Sequence, residues 1–171
     1  MDRSVTGDSA ARRRRSSLVK RRSSLVVGSA EACSRDTLHD SPFTDPQRKA
    51  GTLAGGVYEE PAAPGSASTI VIRLTDSLAV GRIGGQTMAA VVIVTDPGGS
   101  GVFFDLYLAR QREHDWVIVD HTHLGDRIRV NKIEIERGLV GLDLTVHGPH
   151  DGICCPTERT RITMCCETSG W

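Results

Sequence analysis

The most regular pattern in the sequence is an alternation of apolar and polar residues on both sides of a turn at Arg137-Gly138. The apolar positions are Ile128, Val130, Ile133 and Ile135 before the turn, and Val140, Leu142, Leu144 and Val146 after it. A period of two places successive side chains on opposite faces of a strand. The stretch therefore predicts a β-hairpin with one face directed towards a core.

Similar short apolar stretches recur along the chain, with turn residues rather than amphipathic helices between them. They predict strands at Thr69–Leu74, Leu78–Arg82, Ala89–Thr95, Val102–Ala109, Trp116–His123, Arg127–Glu136, Leu139–His147 and Arg159–Met164. Short strands joined by short turns are typical of antiparallel meanders. The expected fold is all-β, an antiparallel meander that forms a small sandwich or barrel.

Three details refine this expectation. Residues 89–94 are apolar at every position, which predicts a central strand buried on both faces. Thr75-Asp76-Ser77 and Gly84-Gly85 are predicted turns, because their residue types favour chain reversal. Asp126-Arg127 is expected to form an ion pair that stabilises another turn.

Composition divides the chain into three segments. Residues 1–50 are predicted to be a disordered basic arm or a degenerate export signal, residues 51–164 the all-β domain, and residues 165–171 a C-terminal tail. Residues 1–30 carry a net charge of +6 and the remainder −6, so the formal charge of zero conceals a basic arm on an acidic body. No apolar run reaches the roughly 18–20 residues that span a bilayer.

The basic arm contains a direct repeat, Arg-Arg-Ser-Ser-Leu-Val, at residues 14–19 and 21–26, and it admits several interpretations. It could be an export signal that ends near residues 30–32, or it could precede lipid attachment at Cys33. The repeat also matches basophilic kinase sites, in which phosphate would cancel the arm's charge. Alternatively the arm binds phosphate backbones without sequence specificity, or it is an unstructured solvated tail.

Three motifs in the body occur together in a fixed order. They are Gly98-Gly99-Ser100-Gly101, then Leu124-Gly125-Asp126-Arg127, then Gly148-Pro149-His150-Asp151 with Cys154-Cys155-Pro156-Thr157. In this order and spacing, over about residues 52–163, the chain resembles a poorly characterised bacterial all-β domain of exported proteins and lipoproteins. That family has no established enzymatic activity. The resemblance therefore implies a fold, a location in the cell envelope or outside the cell, and an unknown ligand or envelope partner.

The chain departs from the family in its leader and in one loop. The apolar lipoprotein leader is missing. Relatives often carry an Asp-rich loop, able to hold calcium, where this chain has residues 82–86 and no carboxylate. Because calcium needs several oxygen ligands, no calcium site is expected, and no cofactor is predicted.

His121 and His123 are two residues apart in a predicted strand and should share one face. Such a pair can begin a zinc or copper site, with Asp120, His147 and His150 as further ligands. The alternative is that both histidines line a solvated strand face, because no third ligand follows at a characteristic spacing.

Cys154 and Cys155 also admit three interpretations. They could form a strained vicinal disulfide, a half-buried thiol pair that closes the loop, or half of a four-thiolate metal site with Cys165 and Cys166. Closed zinc sites favour C-x₂₋₄-C spacing, and redox motifs favour C-x-x-C. A structural disulfide in an oxidising compartment, with its pairing undetermined, is therefore preferred.

The expected function is that of a non-enzymatic extracytoplasmic β domain with a structural or ligand-binding role. One alternative is a metal- or thiol-dependent enzyme or sensor that uses His121, His123 and the Cys154-Cys155 loop. Another is binding of nucleic acid or anionic membranes through the basic arm, with nucleic acid the less expected partner. Membrane contact would come only through a lipid anchor or the arm, and a cytoplasmic location follows if the N-terminus is not a signal.

Overall fold

The computed structural model describes residues 38, 42–43, 51–113 and 115–165, and these residues form ten β-strands. The strands are β1 Pro42–Phe43, β2 Gly51–Thr52, β3 Val57–Pro61, β4 Thr69–Ile83, β5 Gln86–Asp96, β6 Phe103–Arg112, β7 Asp115–Asp126, β8 Arg129–Glu136, β9 Leu139–Val146 and β10 Glu158–Cys165. All neighbouring strands pair antiparallel. The all-β prediction is confirmed.

Two sheets make up most of the fold. Strands β3-β4-β5-β6-β7 form a five-stranded meander that curls into a half-barrel, and β8-β9-β10 form a three-stranded sheet. A third, two-stranded sheet joins β1 and β2. Buried side chains from β5, β6 and β9 form one apolar cluster, so the three-stranded sheet packs on one face of the curled sheet.

β5 lies at the centre of the curled sheet and is buried on both faces, as its sequence predicts. Residues 88–93 are all buried. Ala89, Val91 and Ile93 join the apolar cluster on one face, and the alternate residues 88, 90 and 92 join the cluster beneath the three-stranded sheet. A strand with both faces covered must be apolar throughout, which explains the continuous run.

The β8–β9 hairpin also forms as predicted. All eight apolar positions of the alternating pattern belong to the cluster between the two sheets. The pattern changes phase between Val130 and Ile133, and the ladder has its irregularity there, at Asn131. The amide of Asn131 donates to the hydroxyl of Thr145 at 2.9 Å. A bulge inserts one residue without a partner, so the apolar side chains on both sides of it keep facing the core.

The predicted turn at Thr75–Ser77 is wrong, because β4 continues through these residues as one long strand. The register shifts between Leu74 and Leu78, which identifies a bulge. The Thr75 hydroxyl donates to the Val92 carbonyl at 2.9 Å and accepts from the Ser77 N–H at 3.1 Å. This side chain therefore satisfies polar groups that the irregular ladder leaves unpaired, and the strand does not need to reverse.

Part of the packing comes from residues before the regular strand pattern. Leu38 and Leu53 are buried in the cluster on the face of the curled sheet opposite the three-stranded sheet, and Tyr58 packs against this cluster. Leu38 and β1 fall within the predicted arm, and the rest of residues 1–50 lies outside the described residues. β10 includes Cys165, the first residue of the predicted tail, whereas residues 166–171 are not described.

The two ends of the body differ in their connections. At one end, called here the turn end, short connections follow Ile83, Arg112 and Glu136 and join β4–β5, β6–β7 and β8–β9. Gly84, Gly85, Arg137 and Gly138 all have positive φ, as a type I′ hairpin turn requires. The opposite end, the loop end, carries longer connections at residues 97–102 and 147–157. In the described part of the chain, no helix has the length and apolar character needed to cross a membrane.

Candidate functional site

The three sequence motifs lie at the loop end, where the first two are bonded to each other. The N–H of Val102, just after the Gly98–Gly101 motif, donates to the carboxylate of Asp126 at 2.8 Å. The N–H of Arg127 donates in return to the Val102 carbonyl at 2.7 Å. These reciprocal bonds fix the β5–β6 connection to the short turn between β7 and β8.

Asp126 and Arg127 form the predicted ion pair. The Arg127 Nη2 lies 2.8 Å from one carboxylate oxygen, and its Nε donates to both oxygens at 3.0 and 3.1 Å. These bonds, followed by the Val102 N–H, hold the pKa of Asp126 below its ordinary value. Asp126 is therefore a firmly ionised structural acceptor at the junction of the two sheets.

The double-cysteine loop, residues 147–157, is organised by Asp151. One oxygen of this carboxylate accepts from the N–H of Gly148 at 2.9 Å and from the N–H of Thr157 at 2.7 Å. The other oxygen accepts from the Thr157 hydroxyl at 2.8 Å. The bond from Gly148 and then those from Thr157 lower the pKa of Asp151. One side chain thus closes the loop by joining its second residue to its last.

The cysteines lie at the exposed tip of this loop. The sulfurs of Cys154 and Cys155 lie at disulfide distance from each other, so the vicinal pairing among the three interpretations is the one observed. The loop turns at two backbone bonds, from Asp151 N–H to Gly148 and from Cys155 N–H to Gly152. Both cysteines are exposed, and the neighbouring Ile153 is 68% exposed. Cys165 is a free, exposed cysteine in β10.

His147 is close enough to both carboxylates to interact with them. Its imidazole interacts electrostatically with Asp126 and with Asp151 and contributes to lowering the pKa of both. The sequence places Asp151 in the third motif but does not predict that it closes the loop. The Gly148-x-x-Asp151 spacing was the available signal, because an aspartate commonly bonds backbone N–H groups near it in a turn.

His121 and His123 share one face of β7, as predicted, but they have different neighbours. His121 stacks on Tyr107, with ring centroids 5.6 Å apart and planes inclined by 26°. His123 Nδ1 lies 2.8 Å from a carboxylate oxygen of Asp105, and its side chain is 57% exposed. Tyr107 and Asp105 are two residues apart on β6, opposite the two histidines.

The described residues bring no third metal ligand to His121 and His123. Among residues 51–113 and 115–165, no three His, Cys, Asp or Glu side chains come together in a way that could hold an ion. Asp120 and His121 instead line a cavity of about 270 Å³ at the edge of β7, together with Met164 and Cys165 of β10. The hypothesis therefore depends on the pair alone, while Cys33 and the basic residues 1–30 lie outside the described residues.

The arrangement at the loop end can present a fixed surface. Both carboxylates accept several hydrogen bonds that favour their ionised form, and the disulfide and Ile153 are among the exposed groups. Comparison with known proteins adds no relative: no protein-family model, curated protein or solved structure shows significant similarity to this chain.

Proposed function

We propose that this chain is an exported, non-enzymatic β domain that presents the double-cysteine loop as a binding element in the cell envelope. The observation that carries this proposal is the exposed Cys154-Cys155 disulfide at the tip of a loop closed by Asp151. Disulfides persist in oxidising compartments and are rare where thiol reductants are abundant. An exposed disulfide is therefore better suited to an extracytoplasmic location.

The loop is suited to binding because it is ordered before a partner arrives. Asp151 joins residues 148 and 157, and two backbone turns fix the residues between them. Ordering flexible segments is one of the main costs of association, so a loop already held in place loses less conformational entropy. Its exposed apolar groups, Ile153 and the disulfide, would supply the contact area.

The two loop-end carboxylates are suited to holding a surface in place and poorly suited to acid–base catalysis. A general acid or base works best when its pKa is near the ambient pH. The donors around Asp126 and Asp151 lower the pKa of each carboxyl below its ordinary value, and therefore further from neutral pH. These groups therefore stabilise loops and are poorly suited to proton transfer near neutrality.

The family resemblance supports the same proposal. Its three motifs are far apart in sequence, yet the first two are joined by the Val102–Asp126 bond, and His147 interacts with the second and the third. If related domains use this end of the molecule for the same role, their shared motifs are expected to lie together there.

Intact-mass analysis of protein purified from its native host, with and without reduction and alkylation, tests the proposal. We expect a mature chain that begins near Cys33 or later and has Cys154 and Cys155 protected from alkylation until reduction. A full-length chain with all five cysteines alkylated without reduction would contradict export. It would also favour the thiol-sensor and basic-arm hypotheses.

A further inference from the structure

The turn end contains a broad, solvent-open cavity whose lining side chains are mostly hydrogen-bond donors. Its volume is about 500 Å³, and its walls are Gln86, Thr87, Arg110, Gln111, Arg112 and Glu113. These residues belong to the ends of β5 and β6 and to the turn that follows β6. Ligand sites in proteins typically have volumes of about 300–1,000 Å³. The cavity therefore has the size of a site for a small molecule.

Arg110 brings a buried hydrogen-bond donor to this region. Its Nε is buried and has no hydrogen-bond partner among the described residues. Its Nη1 has one long contact, 3.4 Å, with the amide oxygen of Gln86. A guanidinium is always charged and offers five N–H donors, so a half-buried one without an acidic partner is unfavourable. Among the described residues, no carboxylate forms an ion pair with Arg110.

Arg112 adds a second cation to the same cavity. Within the described residues, neither Arg110 nor Arg112 forms an ion pair, although Glu113 lies in the cavity wall. The lining thus has a net charge of +1, together with amide and hydroxyl groups that can donate to a ligand. Paired N–H groups of arginine match the oxygens of carboxylate and phosphate in bidentate geometry.

We infer that this cavity binds a small oxyanion, which Arg110 and Arg112 hold through charge-assisted hydrogen bonds. The site lies at the opposite end of the molecule from the double-cysteine loop, so it does not depend on the function proposed for that loop. A carboxylate of a small organic acid and a phosphate share the required chemistry. Gln86 and Gln111 would contact the remaining polar groups of the ligand.

Isothermal titration of the full chain with inorganic phosphate and, separately, with succinate tests this inference. Both titrations use chloride at matched ionic strength, because unspecific attraction between exposed charges is screened by salt. We expect saturable binding of at least one anion, and the preferred anion identifies the source of the oxyanion. An absence of saturable binding for both anions would overturn the inference.

Three variants establish whether the cavity is responsible. Arg110→Gln and Arg112→Gln should each weaken binding about tenfold or more, because a hydrogen bond to a charged group is lost. Arg159→Gln is the matched control, since Arg159 is an exposed arginine on β10 near the loop end. Equal weakening by all three variants would show unspecific attraction and refute the site. If Arg110→Gln fails to fold, the affinity of Arg112→Gln decides the outcome, because Arg112 is exposed and its substitution should not disturb folding.

Discussion

Gly81 offers a direct test of how the two sheets pack. A Cβ atom at this position in β4 would lie 2.6 Å from Cγ2 and 2.7 Å from Cβ of Ile135 in β8, and 3.1 Å from the Ile135 carbonyl oxygen. Carbon atoms in contact prefer separations of about 3.5–4.0 Å. The methyl group of Gly81→Ala would therefore be about 1 Å too close to the facing strand. Because backbone is among the atoms it meets, a change of rotamer cannot relieve the overlap.

The expected cost follows from this overlap. Overpacking of a well-filled interface destabilises proteins by about 1–3 kcal/mol. For a folded body of this size, that loss corresponds to a decrease in Tm of about 3–15 °C. Thermal unfolding followed by circular dichroism measures the decrease. Urea unfolding should show a lower midpoint with an unchanged slope, as a pure loss of stability requires.

Gly99→Ala is the matched control. A Cβ atom on Gly99 would meet no atom within 4 Å, and its φ is not in the left-handed region. This substitution should leave Tm unchanged or raise it slightly, since alanine restricts the unfolded chain more than glycine does. Equal Tm values for Gly81→Ala and Gly99→Ala would refute the close packing of β4 against β8.

Three further results are expected. Leu142→Ala should lower the free energy of unfolding by about 2–5 kcal/mol in urea titrations, because Leu142 is fully buried between the two sheets. Arg137→Asn should raise Tm, because Arg137 has a φ of 52° and asparagine adopts this conformation at less cost. Asp126 and Asp151 have folded pKa values below their unfolded values, near 3.9, so their stabilisation is complete above that pH and is lost as pH falls through the folded pKa. Asp151→Asn should therefore flatten the acid side of the stability profile and accelerate hydrogen exchange at residues 148–157, whereas Asp115→Asn, at an exposed position, should do neither.

Much of the fold could be predicted because the side chains that a strand buries recur at regular positions in the sequence. The β8–β9 hairpin alternates, and β5 is apolar throughout because both of its faces are covered. The bulge at Thr75 could not be predicted. Its bond to Val92 joins residues 17 apart in sequence, and Thr-Asp-Ser is equally typical of a turn.

The candidate site was less accessible from the sequence. The motifs could be recognised, but their convergence depends on cross-strand register, which brings Val102 to Asp126 across 24 residues. The disulfide partner of Cys154 could not be predicted, because the position of Cys165 relative to Cys154 depends on the register in which β10 pairs with β9. The cavity at Arg110 had no sequence signal, since nearby charged residues could equally have been partners for its guanidinium.

The two-sided burial of β5 changes how its alignment with its neighbours is specified. In a strand with one solvent-exposed face, a register shift of one residue would expose the apolar side chains. The alternation of polar and apolar residues is therefore enough to fix the register. In β5 such a slip would exchange one apolar set for another, so side-chain volume and the strand's ends must provide the discrimination. Ala89 and Ala90, both fully buried, leave no room for the larger neighbours that would replace them, and the glycine turn at residues 84–85 fixes one end. Enlarging both alanines should therefore affect strand alignment as well as stability.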